Sequence, residues 1–150
     1  AGSAYYTPSS LPRITWALRL EAAAIQGAVR DDVPADSRLY AGGASSVRGY
    51  AFQSIGTRVD DTPLGGTRRV TGSAELRLRT SGSWGGVLFT DSGSIAHGRP
   101  EEDTLRHSVG MGLRYATDIG PLRLDLAFPL SPREGIDDDV QLYVSIGQYF

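Results

Sequence analysis

Apolar and polar residues alternate one by one along several stretches of the chain. Leu122, Leu124, Leu126, Phe128 and Leu130 are interleaved with Arg123, Asp125, Ala127 and Pro129. Val140, Leu142, Val144 and Ile146 alternate with Gln141, Tyr143, Ser145 and Gly147, and Ala74, Leu76 and Leu78 with Glu75, Arg77 and Arg79. Val109, Met111, Leu113 and Tyr115 alternate with Ser108, Gly110, Gly112 and Arg114, and Trp16, Leu18, Leu20 and Ala22 with Ala17, Arg19, Glu21 and Ala23. Successive side chains of a strand point to opposite faces, so a period of two gives each stretch one oily and one polar face. Trp84–Ala96 is a sixth, less regular strand.

Two architectures satisfy this pattern. A soluble antiparallel sandwich would bring the oily faces together in a dry core. A membrane barrel would turn them outward to lipid and enclose the polar faces around water. Charged residues in mid-strand (Glu75, Arg77, Arg114, Arg123, Asp125) favour a wet interior. The strands run to about 9–11 residues, the tilted span of a bilayer, where about 5–6 is usual in globular sheets. Connections alternate in length as well: 28–69 long, 80–84 short, 97–105 medium, 116–120 short, 131–139 medium. Outer-membrane barrels pair short periplasmic turns with long external loops. The barrel is the predicted fold, with the last strand ending on the periplasmic side and Trp84, Phe128, Tyr149 and Phe150 near the interfaces, where aromatic rings settle.

Composition narrows the function. At 150 residues the chain has the length of one domain, and a net charge of −2 offers no field for nucleic acid. All basic residues are Arg, a rigid donor fork that favours built polar networks. Without cysteine there is no disulfide framework, thiolate metal site or cysteine nucleophile. No apolar run reaches 18 residues, which excludes a spanning helix but not barrel strands. The first residues, AGSAYYTPSS, carry no signal-peptide pattern, as expected of a processed or internal segment.

The 28–69 connection is too long for an ordinary loop. Its middle, Leu39 to Tyr50 (LYAGGASSVRGY), interleaves aromatic and apolar residues with glycine turns. Arg48, between Val47 and Gly49-Tyr50, suits insertion into a pocket, and a buried guanidinium needs acids. Glu75 and Asp91 are the inward-facing acids on the next two strands. The alternative is a solvated Arg48 with Asp91 in a turn.

Val47-Arg48-Gly49-Tyr50 resembles the V-R-G-F/Y signature of the sixth external loop in the BamA/TamA outer-membrane assembly superfamily. Gly72-Ser73-Ala74-Glu75-Leu76 resembles the strand that follows, and Leu88-Phe89-Thr90-Asp91-Ser92-Gly93 the family's F-x-D-x-G strand. Ser108–Tyr115 and Thr117–Leu130 resemble the next strand pair, with Asp118 where the family commonly has Pro. The match runs in order over about residues 12–150, and the G-P-L-R-L-D-L-A-x-P-L wording leans toward TamA. The resemblance implies a sixteen-stranded barrel behind periplasmic domains, of which residues 1–150 form the C-terminal six strands, in the bacterial outer membrane.

It also implies a function without cofactor or covalent chemistry: insertion of β-barrel or autotransporter proteins through a lateral strand seam. The implied partners are outer-membrane lipid, client strands, and a periplasm-spanning inner-membrane protein. Val47, Arg48, Gly49, Tyr50, Glu75, Asp91 and Gly93 would lock the loop. Gly147, in the last strand, would help its end curl. Leu142, Val144, Ile146 and Phe150 would form both seam and C-terminal assembly signal. The competing function is a two-partner-secretion or patatin-type barrel that exports a passenger or a linked hydrolase. An enzyme is not expected: no G-x-S-x-G elbow occurs, and Ser83 in Gly82-Ser83-Trp84-Gly85 falls one residue short. His97 and His107 read as solvated residues beside an external loop. The acidic runs Glu101-Glu102-Asp103 and Asp137-Asp138-Asp139 read as solvated tips, without metal-ligand spacing.

Overall fold

The computed structural model describes residues 1–96 and 105–147. One antiparallel sheet carries the fold, in the order β1 (Gly2–Tyr6), β2 (Ile14–Ala24), β5 (Arg68–Arg79), β6 (Trp84–Ala96), β7 (Arg106–Tyr115), β8 (Leu122–Pro129) and β9 (Gln141–Ile146). The six expected strands are present in sequence order, and Gly2–Tyr6 adds a seventh at the β2 edge. Between β2 and β5 the chain makes two short 3-10 turns and a small hairpin, β3 (Arg58–Val59) with β4 (Thr62–Pro63). Each neighbouring pair in the main sheet is antiparallel and connected by a reversal, as a meander requires.

Burial is inverted relative to a soluble protein. Leu124 and Leu126 are each 39% exposed, Val144 66% and Ile146 63%, although a sandwich would bury all four. Leu18, Leu20, Val70, Leu88, Met111 and Leu113 are exposed on the same face. The opposite face buries Glu75, Asp91, Ser108, Arg114 and Asp125. An apolar band this broad is stable only against hydrocarbon. Two small apolar clusters lie on the covered face: Ala41, Val47, Tyr50 and Ile55 of the loop against Ile95, and Val87, Phe89 and Ala127 with Tyr143 packed on them. The sheet is therefore the wall of an antiparallel transmembrane β-barrel, here a partial one.

Leu126 sits in mid-band, opposite Met111 and Leu142. In the complete barrel in lipid vesicles, Leu126→Arg should cost about 2–4 kcal/mol of unfolding free energy. Gln141→Arg, on the other face of the neighbouring strand, should cost well under that. Equal losses in denaturant titrations of the two variants would contradict the assignment of faces.

Candidate functional site

The β2–β5 loop turns back across the sheet because its backbone closes on itself. Gly43 N–H donates to the carbonyls of Val47 (3.2 Å) and Tyr50 (2.9 Å), and Leu39 and Ala41 form bridges to Gly66 and Ile55. Val47, Tyr50 and Ile55, all buried, press the loop onto Ile95. The Tyr50 hydroxyl donates to the His107 carbonyl at 2.9 Å. Gly49 has φ +95°, a conformation that L side chains rarely adopt, and a Cβ there would lie 2.9 Å from Cβ of Ser108. Its N–H donates to Tyr143 Oη at 3.0 Å, and that hydroxyl donates to the Tyr50 carbonyl at 3.1 Å, tying the loop to β9. Gly93 is bare for a related reason: a Cβ would sit 2.5 Å from a Val47 methyl.

Arg48 is delivered by this turn into the wall and is only 4% exposed. Its Nε and Nη2 donate to the two oxygens of Asp91 at 2.7 and 2.9 Å, a bidentate fork, and its backbone N–H adds a third bond to Asp91 Oδ2 at 3.0 Å. Nη2 also lies 2.8 Å from Glu75 Oε1, an ion pair without hydrogen-bond alignment, and donates to Ser73 Oγ at 3.2 Å. Nη1 reaches Asp125 Oδ2 at 3.3 Å. The guanidinium carbon lies 3.5 Å from the Phe89 ring centroid, a cation–π contact. Register supplies the convergence: Ser73 faces Asp91, Glu75 faces Phe89 and Gly112 faces Asp125. On β7, Cβ atoms at Gly110 and Gly112 would collide with the Phe89 ring and the Asp125 carboxylate.

Further guanidiniums surround the centre. Arg77 Nε donates to Glu75 at 2.8 Å, Arg114 Nη1 reaches Asp125 at 2.5 Å, and Arg123 stands 3.6 Å from Asp125. Every acid of the centre faces at least one Arg, so the geometry is that of a tether. Removing one partner of a buried ion pair costs about 3–5 kcal/mol, because the other charge remains buried.

The structure thus brings Arg48 together with both Glu75 and Asp91, and the solvated alternative for Arg48 does not hold. The sequence alone does not join Asp125, Ser73, Phe89 and Tyr143 to Arg48, although the alternation puts Asp125 and Tyr143 on the polar face. A second clamp corrects the expectation of a wholly solvated Asp137-Asp138-Asp139 tip. Arg133 Nε and Nη2 grip Asp137 at 2.7 and 2.8 Å, and Nη1 donates to the Ser54 carbonyl at 2.8 Å, pinning the β8–β9 loop onto the inserted one. His107 is exposed, the second residue of β7 beside the 97–105 connection, with Nδ1 2.8 Å from Ser92 Oγ. Leu142, Val144 and Ile146 line the exposed face of β9, and Gly147 follows it at φ +135°. Tyr149, Phe150, His97, Glu101, Glu102 and Asp103 lie outside the described residues. No group of three His, Asp or Glu side chains that could hold a metal occurs among the described residues.

Asp137 gives the second clamp a pH dependence. Burial raises its proton affinity, but the hydrogen bonds from Arg133 and that residue's charge outweigh burial and hold the carboxyl below its usual value. A depressed folded value means the clamp stabilises fully above the ordinary aspartate range, near pH 4. That contribution is lost as pH falls through the folded value. Amide protection around Ser54, corrected for intrinsic exchange, should stay level from pH 7 to about pH 4 and fall below it; Asp137→Asn should lower the plateau and remove the acid drop. An unchanged acid drop in that variant would assign the transition to another group. For the first clamp, Arg48→Lys keeps the charge but loses the fork, and should lower loop protection by at least tenfold while leaving strand protection intact.

The Omp85 superfamily domain matches residues 1–150. The chain is 37% identical over 97 residues to outer envelope protein 80, chloroplastic, of Arabidopsis thaliana, covering 58% of this chain and 12% of that protein. It is 32% identical over 127 residues to the outer membrane protein assembly factor BamA of Nitratidesulfovibrio vulgaris, covering 79% of this chain and 16% of that protein. BamA of Neisseria meningitidis serogroup B is 25% identical over 148 residues, 75% of this chain and 18% of that protein. In fold, the chain resembles the crystal structure of Haemophilus ducreyi BamA lacking POTRA domains 1–3, with a TM-score of 0.73 at 23% identity, over 93% of this chain and 32% of that one. The chain spans less than a fifth of the curated relatives it matches. Its inverted burial, its inserted Val47–Tyr50 turn and the match over its whole length agree: the chain belongs to the Omp85 superfamily and is an outer-membrane β-barrel segment of the BamA-like kind.

Proposed function

We infer that residues 1–150 are the C-terminal part of an outer-membrane assembly barrel, and that the whole protein inserts β-barrel proteins into the bacterial outer membrane. The observation that carries this reading is the inverted burial of the sheet, apolar on one face and charged beneath the inserted Val47–Tyr50 turn on the other, in a chain similar to outer membrane protein assembly factors. Among the described residues β9 pairs with β8 alone, and Gly147 turns the backbone out of the extended region directly after Ile146. A short strand can receive another strand at its edge by backbone hydrogen bonding. In the complete barrel that edge meets the first strand as a weak seam; a client strand adds there when the seam parts. No covalent chemistry is needed, because the incoming backbone supplies its own donors and acceptors. The lean toward autotransporter clients rests on the G-P-L-R-L-D-L-A wording of β8.

The Arg48 centre is assigned the role of holding the inserted loop while the seam moves. It ties the loop to β5, β6 and β8 directly and to β9 through Tyr143, so the three interior strands move with the loop as one body. Phe150, with Leu142, Val144 and Ile146, is proposed as the terminal assembly signal for the protein's own insertion.

Arg48→Glu places a fourth acid among Glu75, Asp91 and Asp125 and should reduce client insertion by at least tenfold while the barrel remains in the membrane. Normal insertion with an ordered loop would remove the tether from the mechanism. At the seam, Gly147→Val forces a branched side chain onto a positive φ. It should alter disulfide crosslinking between β9 and the first strand and slow client insertion. If both stay as in the parent, Gly147 has no part in opening.

A further inference from the structure

At the short-turn end of the sheet, the covered-face positions of four neighbouring strands fall in one row. Arg79 faces Gly85, Gly85 faces Arg114 and Arg114 faces Arg123. The row contains no carboxylate, and it continues on β9 with Ser145. Like charges set directly opposite one another destabilise a sheet, and Arg114 and Arg123 are such a pair. They share one acid, Asp125, which Arg48 also uses; Arg123 receives only the 3.6 Å contact. Arg79 is exposed and makes no ion pair among the described residues. A cleft of about 390 Å³ opens over Gly85, lined by Arg77, Arg79, Arg114, Thr7 and Thr15 and by no acid. Gly85 keeps it open, since a Cβ there would lie 2.9 Å from the Leu78 carbonyl oxygen.

We propose that this guanidinium row is a docking site for an acidic, extended polypeptide segment entering from the periplasmic side. Placing that side at the short turns rests on the barrel orientation inferred above. Arg79 and Arg123 offer planar forks that match a carboxylate, while Arg114, buried with its fork taken by Asp125 at 2.5 and 3.2 Å, adds fixed positive charge between them. From Arg79 to Arg123 the row crosses three strand spacings, about 14 Å, more than one phosphate or carboxylate can bridge. Same-side residues of an extended chain recur about every 6.7 Å, so two acids about four residues apart in one segment reach both ends of the row together. The charge that strains the sheet without a ligand is neutralised when the segment binds, and this distinguishes the row from the Arg48 centre, whose acids are built in.

The test uses the full-length protein containing this chain, in lipid nanodiscs, with a fluorescent (Asp-Ser)₄ peptide as probe and (Lys-Ser)₄ as control. The acidic peptide should bind, more weakly as salt rises, and the basic one should not. Arg79→Glu should weaken binding at least tenfold, and Arg79→Lys should stay within about threefold of the parent. Heat-modifiable gel mobility shows that each variant is folded; should Arg79→Glu fail to fold, Arg79→Ser serves, with the same direction of change. Binding that is unaffected at Arg79, equal binding of the basic peptide, no binding by the folded parent, or binding of inorganic phosphate only would each overturn the proposal. Orientation is read separately, from labelling of Ser83→Cys by an impermeant maleimide. Labelling from outside the cell would reverse the barrel and refute periplasmic entry, while the peptide data still report whether the row binds acids.

Discussion

A guanidinium buried in a protein wall must be met by carboxylates, and the Arg48 centre satisfies that constraint with acids from three strands. Glu75, Asp91 and Asp125 are brought within reach only when β5, β6 and β8 are in register and the β2–β5 loop has folded back over them. The cost of leaving any of these groups unpaired makes the arrangement close to all-or-none. The loop is therefore part of the wall. Its apolar residues, Val47, Tyr50 and Ile55, provide the contact that brings Arg48 close, and the ion pairs provide direction.

The same constraint explains the glycines of β6 and β7. An inward surface crowded with guanidiniums and a phenyl ring needs strand positions without side chains, and Gly93, Gly110 and Gly112 supply them. On the opposite face the demand is reversed: lipid offers no hydrogen bonds, so Leu, Val and Met fill the alternate positions. One period of two thus encodes two solvents. The unusual charge density of one face and the exposed apolar area of the other are two consequences of a single wall between water and hydrocarbon.

Charge on the covered face also divides by height. At the level of the loop, acids and arginines are balanced and locked; nearer the short turns, Arg114 takes up Asp125, Arg123 keeps only a 3.6 Å contact with it, and Arg79 has no ion pair among the described residues. The second clamp, Arg133 on Asp137, holds the other end, where two loops meet. The wall is rigid where loops pack on it and electrostatically unsatisfied where it opens.

The sequence by itself determined six of the seven strands of the main sheet and the oily face of each, and named Glu75 and Asp91 as the acids that a buried Arg48 would need. Those are consequences of local alternation and of the charge rule for burial, and both can be read along one dimension. Trp84–Ala96 was legible as a strand to its ends, and the V-R-G-Y, F-T-D-S-G and G-P-L words carried the family. Tertiary structure alone decided the third acid, because Asp125 lies 77 residues from Arg48 and only sheet order brings β8 beneath the loop. It also decided that Tyr143 would close the loop from β9, that Arg133 would capture Asp137 from a run that read as solvent-facing, and that Gly2–Tyr6 would pair on β2. Strand neighbours and cross-strand register are set by the summed burial of whole faces. No single stretch of sequence contains that sum, so the row of arginines around Gly85 became visible only once the strands were laid side by side.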